Sequence, residues 1–131
     1  MSLHLLVLSL HLAVCRLSPT DALPNWAMQS PFWSITRTLD EISIVVMEES
    51  VPEGITAERG WSAIKVQGPL DFSLTGILAS LTTPLADAGI SIFAISTYDT
   101  DYLLVRSKTV AEAIAVLERT GYTISNEKEN R

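Results

Sequence analysis

Hydrophobic positions change period twice between residues 68 and 105. Leu74, Ile77, Leu78, Leu81, Leu85 and Ala88 recur at three- and four-residue spacing, which predicts a helix with one apolar face. Gly89 then supplies a helix-ending residue, and residues 90–97 form a nearly continuous apolar run of strand length. A second strand, 102–106, follows after residues 98–101 alone, a connection short enough to make the two strands antiparallel neighbours. Pro84 removes a backbone donor inside the helix and predicts a kink near Ser80.

The same reading extends on both sides. Residues 61–67 alternate, with Trp61, Ala63 and Lys65 opposite Ser62, Ile64 and Val66, until Pro69 ends the strand. Thr109 and Glu112 have capping-box spacing for a last helix whose inward stripe is Val110, Ala113, Ile114 and Leu117. Gly121 stops it, residues 122–125 make a short closing strand, and residues 126–131 are a charged tail with nothing to bury.

The first half carries a fainter version of this pattern. Residues 1–17 are mostly apolar, but no positive segment precedes them, His4 and His11 interrupt them, and they are shorter than a membrane span of roughly 20 residues. A strand with a change of phase after Val7 is expected instead, with a bulge or bend at the change. Pro19, Pro24 and Pro31 allow only a short helical turn ending at Met28. Residues 32–38 and 42–48 read as two strands, and residues 51–60, with Pro52, Gly54 and Gly60, as a connector. Ile35, Glu41, Ile44 and Val45 match Ile95, Asp101, Leu104 and Val105 at one offset, and Pro19 and Asp21 match Pro69 and Asp71 at another. The offsets differ by about ten residues, which implies a shortened first helix in a worn internal repeat.

Composition narrows the function classes. The chain has 131 residues, 47% hydrophobic and 18% charged, enough for a packed core. A net charge of -6 without clustered Lys and Arg argues against a nucleic-acid surface. Cys15 is the one cysteine, which excludes an internal disulfide and fits a small core residue. The two histidines lack ligand-spaced partners, so no metal site is expected. No nucleophile with a base partner, P-loop or dinucleotide fingerprint is visible, so neither catalysis nor a cofactor is expected. Asp99 and Asp101 are close enough to read as paired carboxylates, yet at a tight turn they fit backbone bonding.

A binding chemistry is better supported. The stretch Asp71, Phe72, Ser73, Leu74, Thr75 and Gly76 opens a helix, where free backbone N–H groups and the positive dipole end favour a carboxylate. Asp101 can balance an ammonium, with the Thr97 and Thr100 hydroxyls as neutral partners. The simpler alternative is that Asp71 or Ser73 caps the helix and the threonines favour strand and turn.

The strings GPLDFSLTG at 68–76 and ISTYDTDY at 95–102, at this separation, resemble the ACT domain family, and more narrowly the small tandem-ACT proteins related to the CASTOR arginine sensors. The close part of the resemblance covers residues 61–122. It implies an α+β fold of tandem ferredoxin-like βαββαβ units with antiparallel sheets. Residues 1–60 would be a degenerate N-terminal unit, 61–125 a C-terminal ACT domain and 126–131 a flexible tail. It further implies a regulatory protein with a free amino acid as effector, bound by residues 71–76 together with Thr97, Tyr98, Thr100 and Asp101 of a neighbouring ACT unit. The sensors it resembles carry four ACT units and this chain has length for two, so a homodimer is expected. A regulated protein partner, a cytoplasmic location and no membrane association complete the expectation. The alternative is a ligand-free ACT-fold module for dimerisation or protein interaction.

Overall fold

A computed structural model describes residues 4–67 and 76–127. Its strands are β1 (His4–Leu17), β2 (Trp33–Arg37), β3 (Ile42–Met47), β4 (Thr56–Val66), β5 (Ile92–Ser96), β6 (Asp101–Arg106) and β7 (Thr123–Asn126). The helices are α1 (Asn25–Met28), α2 (Ile77–Asp87) and α3 (Val110–Thr120). Antiparallel pairing joins β1 to β3, β2 to β3 and β5 to β6. This is an α+β arrangement. The chain forms two compact units, one of Leu10–Trp61 and one of Ser62–Arg131 with Met1–Ser9. Residues 4–9 thus belong with the C-terminal unit.

In the C-terminal unit, β7 runs parallel to the start of β1, with His4 opposite Thr123 and Val7 opposite Asn126. Side chains reinforce this pairing: Glu127 Oε1 accepts the Ser9 N–H at 3.0 Å, and His4 Nε2 lies 3.0 Å from Ser125 Oγ. The helix stripe read from the sequence faces the core. Leu81 and Leu85 of α2 meet Ile64 and Val66 of β4, Leu103 and Val105 of β6, and Ala113, Val116 and Leu117 of α3. Ile77, Leu78, Ala88 and Val110 pack at its margin. Each fully buried leucine contributes about 1.5–3 kcal/mol. Val116, not Ile114, is the further fully inward residue of α3.

Both long helices close in the same way. Gly89 N–H bonds Ala86 O and Ile90 N–H bonds Leu85 O, while Gly121 N–H bonds Glu118 O and Tyr122 N–H bonds Leu117 O. This double closure uses a left-handed residue after the helix. The opposite end of α3 differs from expectation. Thr109 makes no capping bond to the helix; its hydroxyl donates to Arg106 O at 3.0 Å. A short 3-10 turn, Ser107–Thr109, runs straight into α3 and leaves the capping box unformed.

In the N-terminal unit, Ala13 and Cys15 of β1, Ala27 of α1, and Ile42, Ile44 and Val46 of β3 form the core. Leu5 and Val7 of β1 lie in one unit's core and Ala13, Cys15 and Leu17 in the other's, while Leu12, of the opposite parity, is fully buried as well. Both parities are thus buried beyond Val7, and the clean flip of phase expected there does not occur. Instead the edge partner changes, from β7 at residues 4–7 to β3 at residues 12–17. Burial pushes the Cys15 thiol pKa up, and the nearby Arg59 charge offsets this in part.

The second half of the connector expected at 51–60 is strand, because β4 begins at Thr56. Ala57 packs against the N-terminal core, whereas Thr56 and Glu58 are exposed, so the polar composition marks one wet strand face. Glu48 holds this stretch by accepting the Gly60 N–H at 2.7 Å through Oε1 and Arg59 Nη1 at 3.3 Å through its carbonyl.

The internal repeat is visible inside each unit at an offset of 59 residues. Thr38 N–H bonds Glu41 O at 2.9 Å and Thr97 N–H bonds Thr100 O at 2.8 Å, so the two hairpins turn on equivalent threonines. Each hairpin leads into a 3-10 turn, at Glu48–Ser50 and at Ser107–Thr109. Only the second continues as a helix; Pro52 follows the first too closely. The sequence pairing of Ile35 with Ile95 was one residue out of step, since the hairpin registers place Ile35 with Ala94.

Candidate functional site

The β5–β6 hairpin brings several predicted residues into one turn. Ser96 faces Asp101 in the last strand pair, and Ser96 Oγ donates to Asp101 Oδ1 at 2.6 Å. Beyond it, Thr97 Oγ1 donates to Thr100 O at 3.0 Å and accepts the Thr100 N–H at 3.3 Å. Thr100 is 4% exposed, and its hydroxyl donates to the Val66 carbonyl at the end of β4. Gln67 N–H bonds His4 O at 2.9 Å at that same end. Tyr98 projects outward, 80% exposed. The hairpin thus offers a half-buried carboxylate at Asp101, while both threonine hydroxyls already serve the turn and its anchor.

The second part of the expected site is the start of α2. Asp71, Phe72, Ser73, Leu74 and Thr75 lie outside the described residues. Gly76 is the N-cap of α2, with φ 77°, and makes no side-chain cap bond. Its carbonyl accepts the first intrahelical bond, from Ser80 N–H at 2.8 Å. The N–H groups of Ile77, Leu78 and Ala79 consequently stand at the positive end of the helix. A Cβ at Gly76 would meet nothing within 4 Å among the described residues, and its φ of 77° is a left-handed backbone that favours glycine. Ser80 Oγ donates to Ile77 O at 2.7 Å and accepts from the Tyr122 hydroxyl, which ties this first turn to the end of α3.

Sequence reasoning missed Ser96 and Tyr122 as supports of these groups. Ser96 was legible in principle, because a tight turn at 97–100 sets it opposite Asp101. Tyr122 had no local signal, since its partner is 42 positions away. Lys65 Nζ stands 5.9 Å from the Tyr102 ring centroid, placing a cation on β4 beside the hairpin's second strand. Among the described residues, no group of three or more His, Cys, Asp or Glu could hold a metal ion. No helix among them is long and apolar enough to cross a membrane.

The α+β architecture is shared with regulatory parts of aspartate kinases. The regulatory subunit of aspartate kinase from Thermus thermophilus superposes with a TM-score of 0.60 at 10% identity, over 86% of this chain and 93% of that one. An Agrobacterium tumefaciens protein of known crystal structure superposes with a TM-score of 0.93 at 39% identity, over 100% of this chain and 98% of that one. A family model described as ACT domain matches residues 56–119, and a separate N-terminal domain model matches residues 11–54. The chain belongs to the ACT domain family and is related to the CASTOR proteins. Human CASTOR3P is 36% identical over 109 residues, 70% of this chain and 67% of that protein. The Bos taurus cytosolic arginine sensor for mTORC1 subunit 1 is 31% identical over 99 residues, which are 67% of this chain and only 30% of the sensor.

Proposed function

We propose that this chain is an amino-acid-binding regulatory protein of the ACT type, with no catalysis of its own. It would be built as tandem ferredoxin-like units, a degenerate one expected over 1–60 and an ACT domain expected over 61–125; residues 4–9 join the second unit, and Asn126 and Glu127 belong to its β7 edge and not to the tail expected over 126–131. The observation that carries this reading is the start of α2 at Gly76, where the N–H groups of Ile77, Leu78 and Ala79 stand at the positive end of the helix. Such an end favours a carboxylate. Residues 71–76 would hold the effector's carboxylate, and Asp101, on the hairpin of a neighbouring ACT unit in a second copy, would hold its ammonium. Thr97, Tyr98 and Thr100 shape the hairpin that presents Asp101. The name of the arginine sensor and the fold shared with aspartate kinase regulatory domains support an amino acid as ligand and a regulated protein as partner. The cytosolic relative supports a cytoplasmic location.

One observation favours a second reading. The Thr97 and Thr100 hydroxyls are engaged within the fold, as they would be in a ligand-free assembly module. Calorimetric titration with each proteinogenic amino acid separates the two. Heat and a thermal shift for one or a few of them support the sensor; flat traces at millimolar ligand support the assembly module.

A further inference from the structure

We propose that the closing strand β7 regulates the amino-acid site at the start of α2, with Tyr122 as the positioning residue that couples the two. Tyr122 stands between α3 and β7. Its N–H bonds Leu117 O in the closure of α3, and the next residue, Thr123, opens β7 opposite His4. Its side chain packs at the margin of the core, and its hydroxyl donates to Ser80 Oγ. Ser80 in turn closes the first turn of α2 twice, through its N–H to Gly76 O and through its hydroxyl to Ile77 O. The placement of the Tyr122 ring thus depends on where β7 lies, and the first turn of α2 depends on the ring.

β7 is weakly held. Thr123, Ser125 and Asn126 are exposed, and Ile124 alone of its four residues packs at the core margin. Among the described residues β7 pairs with β1 and no second strand, whereas β4 and β6 each lie between two strands. Local opening costs least where little apolar surface is buried and the backbone bonds face water. The other contacts of β7 are polar. Glu127 N–H bonds Val7 O at 2.8 Å, Glu127 Oε1 accepts the Ser9 N–H at 3.0 Å, and Ser9 Oγ donates to Glu127 O at 3.1 Å. Ser125 Oγ lies 3.0 Å from His4 Nε2.

Docking and release of β7 supply the two-state element that coupling between distant groups requires. With β7 docked, the phenol holds Ser80, and the N–H groups of Ile77, Leu78 and Ala79 stay aligned for a carboxylate. With β7 released, Tyr122 loses its fixed position and the first turn of α2 frays. An amino acid bound at the helix start tightens β7, and docked β7 tightens the amino acid by the same factor.

The inference rests on the amino-acid site of the proposed function, but the coupling is readable in the ligand-free protein by amide hydrogen exchange. Ile124→Thr keeps a strand-forming residue and removes its apolar contact; Glu127→Ala removes the acceptor of the Ser9 N–H. Both should quicken exchange at the Glu127 amide and, by about two- to tenfold, at the Ser80 and Leu81 amides, while Leu103 and Val105 keep their protection. In a Tyr122→Phe background the same substitutions should add nothing at Ser80 and Leu81. An unchanged Glu127 amide in both variants overturns β7 as a releasable strand. Faster Glu127 exchange with unchanged Ser80 and Leu81, or equal acceleration in the two backgrounds, overturns the coupling through Tyr122. Equal acceleration at Leu103 and Val105 makes general destabilisation the cause and overturns it as well. Calorimetric titration with each proteinogenic amino acid separates this from the reading beneath it. Flat traces for the wild-type protein overturn the amino-acid site and leave the exchange result standing. A binder that Ile124→Thr weakens about fivefold or more supports regulation by β7, and one bound equally well by wild type and Ile124→Thr overturns that regulation alone.

Discussion

The Thr100 hydroxyl donates to the Val66 carbonyl and so fastens the tip of the β5–β6 hairpin to the end of β4. A turn threonine would ordinarily bond only its own backbone. Here Thr97 does that work, which frees Thr100 for a long-range bond. Thr100→Val keeps the shape but leaves a buried carbonyl without its donor, and should cost about 1–3 kcal/mol in urea unfolding. Thr100→Ser keeps the hydroxyl and should cost less than Thr100→Val. Equal losses in the two variants would make shape, and not the bond, the cause.

Tyr122 acts at the other end of the same unit. Its hydroxyl supports Ser80, whose own hydroxyl bonds the carbonyl of the first residue of α2. Tyr122→Phe removes only the phenol, with an expected loss of about 0.5–1.5 kcal/mol. Hydrogen exchange at the Ser80 and Leu81 amides should quicken, while the Leu103 and Val105 amides of the central β6 strand keep their protection. Uniform acceleration throughout the unit would contradict a local role.

Cys15 gives the chain an alkaline limit. Its folded-state pKa is raised, with burial the larger cause and the Arg59 charge a partial offset. In the unfolded chain the thiol ionises first as pH rises, so the native state then holds the extra proton. The stabilisation is complete below the ordinary thiol pKa and is lost as pH rises from there through the folded value. Denaturation from pH 7 to 10 should therefore show a falling midpoint, with a smaller fall in Cys15→Ala. An identical slope in that variant would assign the alkaline loss to other groups.

Much of the C-terminal unit was legible because local patterns and tertiary contacts agree there. The α2 stripe, Gly89 and the short turn all specify the same packing, and Leu81, Leu85, Leu103 and Val105 meet as the periodicity requires. Elsewhere the sequence signal was ambiguous. Thr109 and Glu112 have capping-box spacing, but the preceding 3-10 turn engages the Thr109 hydroxyl first. Residues 56–60 look like a linker because one strand face is wet, and Ala57 alone on the other face is too little pattern to overrule that. The Thr100 to Val66 bond spans 34 positions, beyond any local rule.

Asp101 is the residue on which the ligand reading turns. A carboxylate beside a partly buried ammonium makes a charge-assisted bond worth roughly 1.5–3 kcal/mol. Its Oδ1 already accepts from Ser96 Oγ, and Asn offers the same carbonyl oxygen to that donor. Asp101→Asn should therefore leave the hairpin intact and unfold at nearly the wild-type midpoint. Affinity for the amino acid found by titration should drop about ten- to a hundredfold. Gly76→Val provides an independent arm: a β-branched residue at φ 77° is strained whatever the space around it, and it adds bulk where the helix N–H groups would meet the carboxylate. Both variants are to be compared with wild type at equal folded fraction. Loss in Asp101→Asn with a normal fold supports the ammonium contact. Unchanged affinity in both would place the amino acid elsewhere and leave Gly76 as a helix cap and Asp101 as the acceptor of one serine bond.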